Sequence, residues 1–269
     1  MFEDYANGAQ IETFERVYKL VQGPKQRRNK HWVNFVFKRW FYIQNFISSE
    51  NLGSFWHFDS DTMILDTLQK HESKYYPYDC TEQCNGSCLN GFITEPSIVS
   101  DYLEKINTLF EDAEYMQQQQ DEFDLKNQKF VYTEMRAYEE FKKDGLNSTR
   151  LNTILDGSTF DDCICQTHGM EMEPLPNGRV IKKVYSADDG IFYCYHEGRK
   201  ALTRMNTLNL SWVPIGLFNT ILAKAQPKQK NSEVQKLEKE SMKTLVQHYW
   251  RKCPLEATVS YFKKKKTSS

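Results

Sequence analysis

Glycine and proline are scarce in this chain, 12 and 8 among 269 residues, which argues against a many-turned β-sandwich. Long apolar runs are missing too. The most apolar stretch, residues 32–47, is interrupted by Asn34, Lys38, Arg39, Gln44 and Asn45. It therefore fails the criterion of about 18 uninterrupted apolar residues for a membrane-crossing helix. Met1-Phe2-Glu3-Asp4 lacks the basic and apolar regions of a secretory leader. The expected location is cytoplasmic, for a chain that is whole or cut from something longer. There is no G-x-x-x-x-G-K phosphate loop and no internal repeat. Net charge is only −1 at pH 7 and no aromatic-basic RNA motif occurs, so nucleic acid is not an expected partner.

Aromatic residues are plentiful, 14% of the chain. With ordinary charge content they exclude a disordered chain, a collagen and a coiled coil. The length suffices for a core without disulfide or metal staples. Charge is uneven along the chain. Residues 101–125 carry eight acids against Lys105, whereas residues 224–269 carry twelve Lys or Arg against four Glu. The basic end reads either as a solvated tail or as a peripheral contact with an anionic membrane surface. Of seven cysteines, Cys80, Cys84 and Cys88 form C-x3-C-x3-C. Zinc ribbons use two paired short spacings, so these read as reduced thiols in or near a loop.

Apolar spacing predicts helices over residues 10–22, 31–47, 98–116 and 133–143, and an amphipathic helix over 232–251. The second is apolar almost all round and is expected to be buried. Phe55-Trp56-His57-Phe58 suits a central strand. Residues 62–68 resume apolar character, with Asp66-Thr67 suggesting a loop or helix start, and 71–91 read as loop. Residues 180–185 and 191–195 flank Ser186-Ala187-Asp188-Asp189-Gly190, a β-hairpin pattern. Residues 201–213 hold one more strand. The order is that of a mixed α/β chain. Residues 1–223 form the expected domain, and residues 224–269 a basic linker, helix and lysine tail.

The chemically most informative motif is Asp59-Ser60-Asp61, directly after the aromatic strand. Two carboxylates this close repel, and burying them is costly. Mg²⁺ or Mn²⁺ resolves both problems, because it prefers oxygen ligands and is held by one or two carboxylates plus substrate phosphates. Capping or turn formation is the structural alternative. Other candidates are weaker: His168 with Asp161, Asp162 and Cys163 as a Cys–His pair, and Lys182 or Lys183 as a diphosphate contact. Arg39 on an apolar helix needs an anionic partner, either a structural carboxylate or the site aspartates.

In its motifs the chain resembles the metal-dependent nucleotide-sugar glycosyltransferases of the GT-A fold, in which an aromatic or aliphatic strand ends in D-x-D. It is most similar to a related group with an R-W-F helix before D-S-D. The matching segments are Arg39-Trp40-Phe41, Phe58-Asp59-Ser60-Asp61-Thr62, Asn90-Gly91-Phe92, Thr133-Glu134-Met135, Gly157-Ser158-Thr159-Phe160-Asp161 and Asn206-Thr207-Leu208-Asn209. The resemblance implies a GT-A-like mixed sheet with flanking helices, plus a β-hairpin and a C-terminal helix. It implies a nucleotide-sugar donor, a glycan or other hydroxyl acceptor, and Mn²⁺ or Mg²⁺. Asp59 would contact ribose or a metal-bound water, and Asp61 the metal and diphosphate. Asn90 and Gly91 would line the donor-sugar and acceptor region, with Arg39 beside them. Glu134 would orient the acceptor hydroxyl or act as base. Two departures stand out. Asn209 replaces the family's late metal-binding histidine, and only 58 residues precede Asp59, so the nucleotide-binding front is short. A catalytically degenerate relative that binds a glycan or a protein is the alternative.

Overall fold

The computed structural model describes residues 2–187 and 190–225. It is a mixed α/β structure. Helix α1 spans Ala9–Val17 and α2 spans Lys30–Ser49. The first stops short of the expected residue 22, because Gln22 bridges to Val131 in extended conformation. Asn29 caps α2, its side chain accepting the His31 N–H at 2.8 Å. Strands β1 (Phe55–His57), β3 (Cys80–Gln83), β4 (Cys88–Ile93) and β5 (Ser148–Arg150) make one sheet in the order β1-β4-β3-β5. Only the β3–β5 pair is parallel.

Helices α3 (Ser97–Glu111), α4 (Ala113–Leu125) and α5 (Glu134–Lys142) complete this half. The single helix expected over 98–116 is two. Asp112 adopts extended backbone and caps α4 by accepting the Tyr115 N–H, so the run Gln117–Gln120 is helical. Phe14, Phe37, Trp40, Phe41, Tyr102 and Phe110 form the centre of the core between helices and sheet. Each such ring contributes about 1.5–3 kcal/mol by burial. The face of α2 that bears Trp32, Phe35 and Phe46 stays 41, 46 and 42% exposed, so that helix is buried on one side only.

The second half holds β6 (Ser158–Thr159), β9 (Val184–Ser186), β10 (Phe192–His196) and β11 (Ala201–Met205) in the order β6-β11-β10-β9. Ribbons β7 (Met172–Pro174) with β8 (Val180–Lys182), and β2 (Thr62–Ile64) with β12 (Thr207–Asn209), flank it. Helix α6 (Gly216–Ala225) follows, so the boundary expected at 223 falls inside a helix. The expected hairpin is present as β9–β10, while β8 turns away to β7. The amphipathic helix and lysine tail expected over 232–269 lie outside the described residues.

Three expectations are corrected. β1 lies at the edge of its sheet rather than at its centre. Its aromatic content reflects stacking rather than two-sided sheet burial: Trp56 and Phe58 lie against Phe160, at ring distances of 5.3 and 6.4 Å. Residues 62–64 form a strand, and the supposed loop 71–91 contains β3 and β4, both fully buried. Their polar and cysteine-rich sequence hides this burial. Thr81, for example, is satisfied by the Asn90 carbonyl and the Phe92 N–H, at 2.8 and 2.7 Å.

Candidate functional site

The turn after β1 organises the site. Thr62 N–H donates to the Asp59 carbonyl at 2.9 Å, closing a tight turn around Ser60 and Asp61. The two carboxylates leave this turn in different directions. Asp59 meets Arg39 from α2, whose guanidinium also reaches Glu134, the first residue of α5, at 2.5 and 2.9 Å. A planar fork with separate donors can hold both acids at once. Burial lowers the Arg39 pKa, but Glu134 and Asp59 outweigh it and raise the group above its ordinary value. Burial pushes the Glu134 carboxyl up to about 7 against the pull of Arg39. Its Oε2 is buried without a hydrogen-bond partner. The space lined by Arg39, Glu134, Cys88 and Tyr102 is only about 10 Å³, roughly one water.

His57 stands behind this group. Its ring lies 4.7 Å from that of Trp40, and Nδ1 is 2.9 Å from Asn90 Oδ1. That acceptor fixes the proton on Nδ1. Burial lowers the pKa to about 4, so the ring is neutral. Asn90 is thus buried and bonded to His57. Gly91 is opposite His57 in the β1–β4 pairing, with φ +98°. A Cβ there would lie 2.2 Å from Thr81 Oγ1 and 2.7 Å from Leu151 Cδ2. Gly91 therefore serves close packing, which accounts for its identity without any contact to a sugar.

Asp61 leaves the turn toward β12. Its carbonyl accepts from Leu210 N–H at 2.8 Å, and its Oδ2 accepts from the Ser211 hydroxyl at 2.7 Å. Asn209 pairs with Thr62 across the ribbon, and its Oδ1 lies 2.6 Å from the same hydroxyl. Asn209 Oδ1 also accepts the Ser211 N–H at 3.0 Å, so it is satisfied even when the single hydroxyl proton goes to Asp61. Asp61 Oδ1 is buried with no hydrogen-bond partner at all. Asp61 Oδ1 is thus an unpaired carboxylate oxygen beside the side-chain oxygens of Asn209 and Ser211, a donor set of the kind that suits a hard cation. Among the described residues, no group of three His, Cys, Asp or Glu side chains is placed to hold a metal. An ion here would rest on one carboxylate, neutral oxygens and the ligand's phosphates. Asp59, engaged by Arg39, is not brought to this cluster.

Asp161 and Lys182, expected beside a Cys–His pair and as a diphosphate contact, are instead paired with each other. Asp161 Oδ2 accepts the Asn209 N–H at 3.0 Å, and its Oδ1 is bonded by Lys182. Lys182 also donates to the Cys163 carbonyl at 3.0 Å and lies 3.2 Å from His168 Nδ1. The buried pair therefore props Asn209 from beneath. Strand alternation around 180–185 was the available signal: it turns Lys182 inward, while Lys183 reaches Glu171 at 2.8 Å. Asp162 accepts the Asn85 N–H at 2.8 Å and pairs with Arg150 at 3.1 Å. His168 is thereby engaged, and burial pushes the Cys163 thiol up to about 11, so these two do not form a nucleophilic pair. Cys80, Cys84 and Cys88 are free, and burial pushes Cys80 up to about 12. No protein-family model, no curated protein and no solved structure matches this chain.

Proposed function

We propose that this chain is a metal-dependent glycosyltransferase that moves a sugar from a nucleotide diphosphate to an acceptor hydroxyl, on a GT-A-like fold. One observation carries the reading. A single D-x-D turn delivers Asp59 to an Arg39–Glu134 ion network and Asp61, with one oxygen unpaired, to the side-chain oxygens of Asn209 and Ser211. Asp61 Oδ1 and the Asn209 carbonyl oxygen are the groups that would hold Mn²⁺ or Mg²⁺. When bound, such an ion supplies a Lewis acid that neutralises charge on the departing diphosphate.

Asp59 keeps one oxygen on Arg39 and has its second to accept from a ribose hydroxyl. Arg39 fixes that carboxylate in place. Glu134 acts as a positioning residue: it holds the guanidinium that holds Asp59. The base role implied by the resemblance needs room for an acceptor, and about 10 Å³ beside Glu134 does not supply it. Asp161 and Lys182 set the strand end that presents Asn209.

The test is incubation of the full chain with a panel of nucleotide sugars and Mn²⁺, following nucleotide release. Release that stops on chelation and in Asp61→Asn supports the reading. Glycan binding with no donor turnover would instead indicate a degenerate relative, which Asn209 in the late metal position favours. Failure to bind any donor or metal would overturn the enzyme.

A further inference from the structure

Three segments far apart in sequence meet on the surface around the connector that leads into α2. Gly23 N–H donates to the Phe130 carbonyl at 2.9 Å, and Lys25 N–H to that of Gln128 at 2.8 Å. At the other end of the connector, the Arg28 guanidinium lies 4.5 Å from the ring centre of Trp32 and 5.6 Å from that of Trp212. One cation thus ties the start of α2 to the loop before α6. Around it stand large apolar side chains open to solvent: Leu125 is 78% exposed, Phe130 62%, Trp212 68%, Ile215 82%, Trp32 41% and Phe35 46%. Trp212 holds its backbone at φ +69°, an outlier for a bulky residue. Exposed apolar side chains gathered on segments that meet in this way mark an interaction site.

The charge of these segments identifies the partner. Residues 17–31 contain five Lys or Arg and no Asp or Glu. Residues 125–133 and 198–232 likewise contain basic residues and no acid. The sequence that follows α6 carries four consecutive lysines at 263–266. Asp121, Glu122 and Asp124 of α4 border the Leu125 side, where Gln120 and Gln128 bond Gln22 and Asp124. The basic residues gather on the side of Trp32 and Trp212. Exposed tryptophans beside Lys and Arg are the pattern of a surface at the headgroup level of an anionic bilayer. We propose that this face docks the protein peripherally on an anionic membrane, with the aromatic rings at the interface and Arg27, Arg28 and Lys30 on the headgroups. No described helix is long and apolar enough to cross a membrane. The inference is independent of the sugar-transfer reading, because none of the docking residues belongs to the Asp59–Asp61 site.

The test is co-sedimentation of the full chain with vesicles of phosphatidylcholine, alone or mixed with phosphatidylserine. Binding is expected only with phosphatidylserine and should weaken with salt. Phe130→Glu with Ile215→Glu should weaken it at least tenfold. Arg27→Gln and Lys30→Gln should each weaken it about fivefold, the equivalent of about 1 kcal/mol per charge. All four positions are exposed or lie on the connector, and circular dichroism checks that the variants fold. Wild-type binding by the Phe130/Ile215 variant would overturn the proposal and assign any binding to the lysine tail. So would absence of binding to phosphatidylserine vesicles. Sedimentation velocity covers the remaining case: a dimer that these substitutions dissolve would make the face a contact between copies of the chain.

Discussion

Asp61 and Asn209 point side-chain oxygens at one and the same hydroxyl, that of Ser211, at 2.7 and 2.6 Å. They lie far apart in the sequence and are brought together by the β2–β12 ribbon. Removing the hydroxyl tests whether it belongs to a cation site. Ser211→Ala should weaken Mn²⁺ binding about 10–100-fold, as loss of a group next to a metal ligand does, while thermal stability stays close to wild type. Titration of the wild-type and Ser211→Ala chains with Mn²⁺ reads the difference directly.

Arg39 holds two acids that would otherwise repel. Its side chain is 21% exposed, and those of Asp59 and Glu134 are 28 and 11% exposed. Arg39→Met should cost about 2–4 kcal/mol in urea denaturation, because it leaves two partly buried carboxylates unpaired. Adding Glu134→Gln should recover a good part of this. Simple additivity of the two losses would show that they do not interact.

Glu134 also leaves a pH signature. Its carboxyl in the folded chain titrates at about 7, above the ordinary 4.5, because burial disfavours its charge. The folded state therefore binds the proton more tightly than the unfolded one. Below about pH 4.5 both states are protonated and the group has no effect on pH dependence. Between about 4.5 and 7 stability declines as pH rises, by roughly 3 kcal/mol at this site. Glu134→Gln should remove that decline, seen as a gap between the variant and wild-type stability curves that widens from pH 4.5 to 7. Parallel curves would contradict the buried carboxyl.

Much of this site could be read from the chain, and particular residues show where reading stops. The need of Arg39 for an anionic partner is legible in the sequence, and its guanidinium joins Asp59 and Glu134. Alternation in Phe55-Trp56-His57-Phe58 is real, with Trp56 and Phe58 on Phe160 and His57 on Trp40. Pattern alone could not say that β1 is an edge strand, since aromatic stacking and a second sheet neighbour both demand apolar side chains. The β3–β4 pair was invisible for the opposite reason. Thr81, Glu82, Gln83 and Asn90 are buried polar residues, which local pattern assigns to loops. Asp161 and Lys182 satisfy each other in the interior, and a pair 21 residues apart leaves no local trace.

Lys182 is almost wholly buried, with 2% of its side chain exposed beside a fully buried Asp161. Lys182→Met should destabilise the chain by about 3–5 kcal/mol by stranding the carboxylate. Asp161→Asn in the same chain should restore most of that, measured by denaturant midpoint. Because Asp161 holds the Asn209 backbone, the double variant should fold yet bind Mn²⁺ less well.

Gly91 offers a packing test. Gly91→Ala forces a Cβ onto Thr81 Oγ1 at a positive φ, and should cost about 2–4 kcal/mol. Gly53→Ala has open space around the new carbon and should stay within about 0.5 kcal/mol of wild type. Equal losses at the two positions would contradict the packing account.

The central claim is that Asp61 anchors a divalent cation beneath a nucleotide diphosphate. The most direct measurement is the electron paramagnetic resonance signal of free Mn²⁺, titrated with the full chain in the presence of a panel of nucleoside diphosphates. The account predicts that at least one diphosphate makes the free signal fall, and that Asp61→Asn weakens this at least about 100-fold. A free signal unchanged by the wild-type chain with every diphosphate, or lost equally in Asp61→Asn, would contradict it.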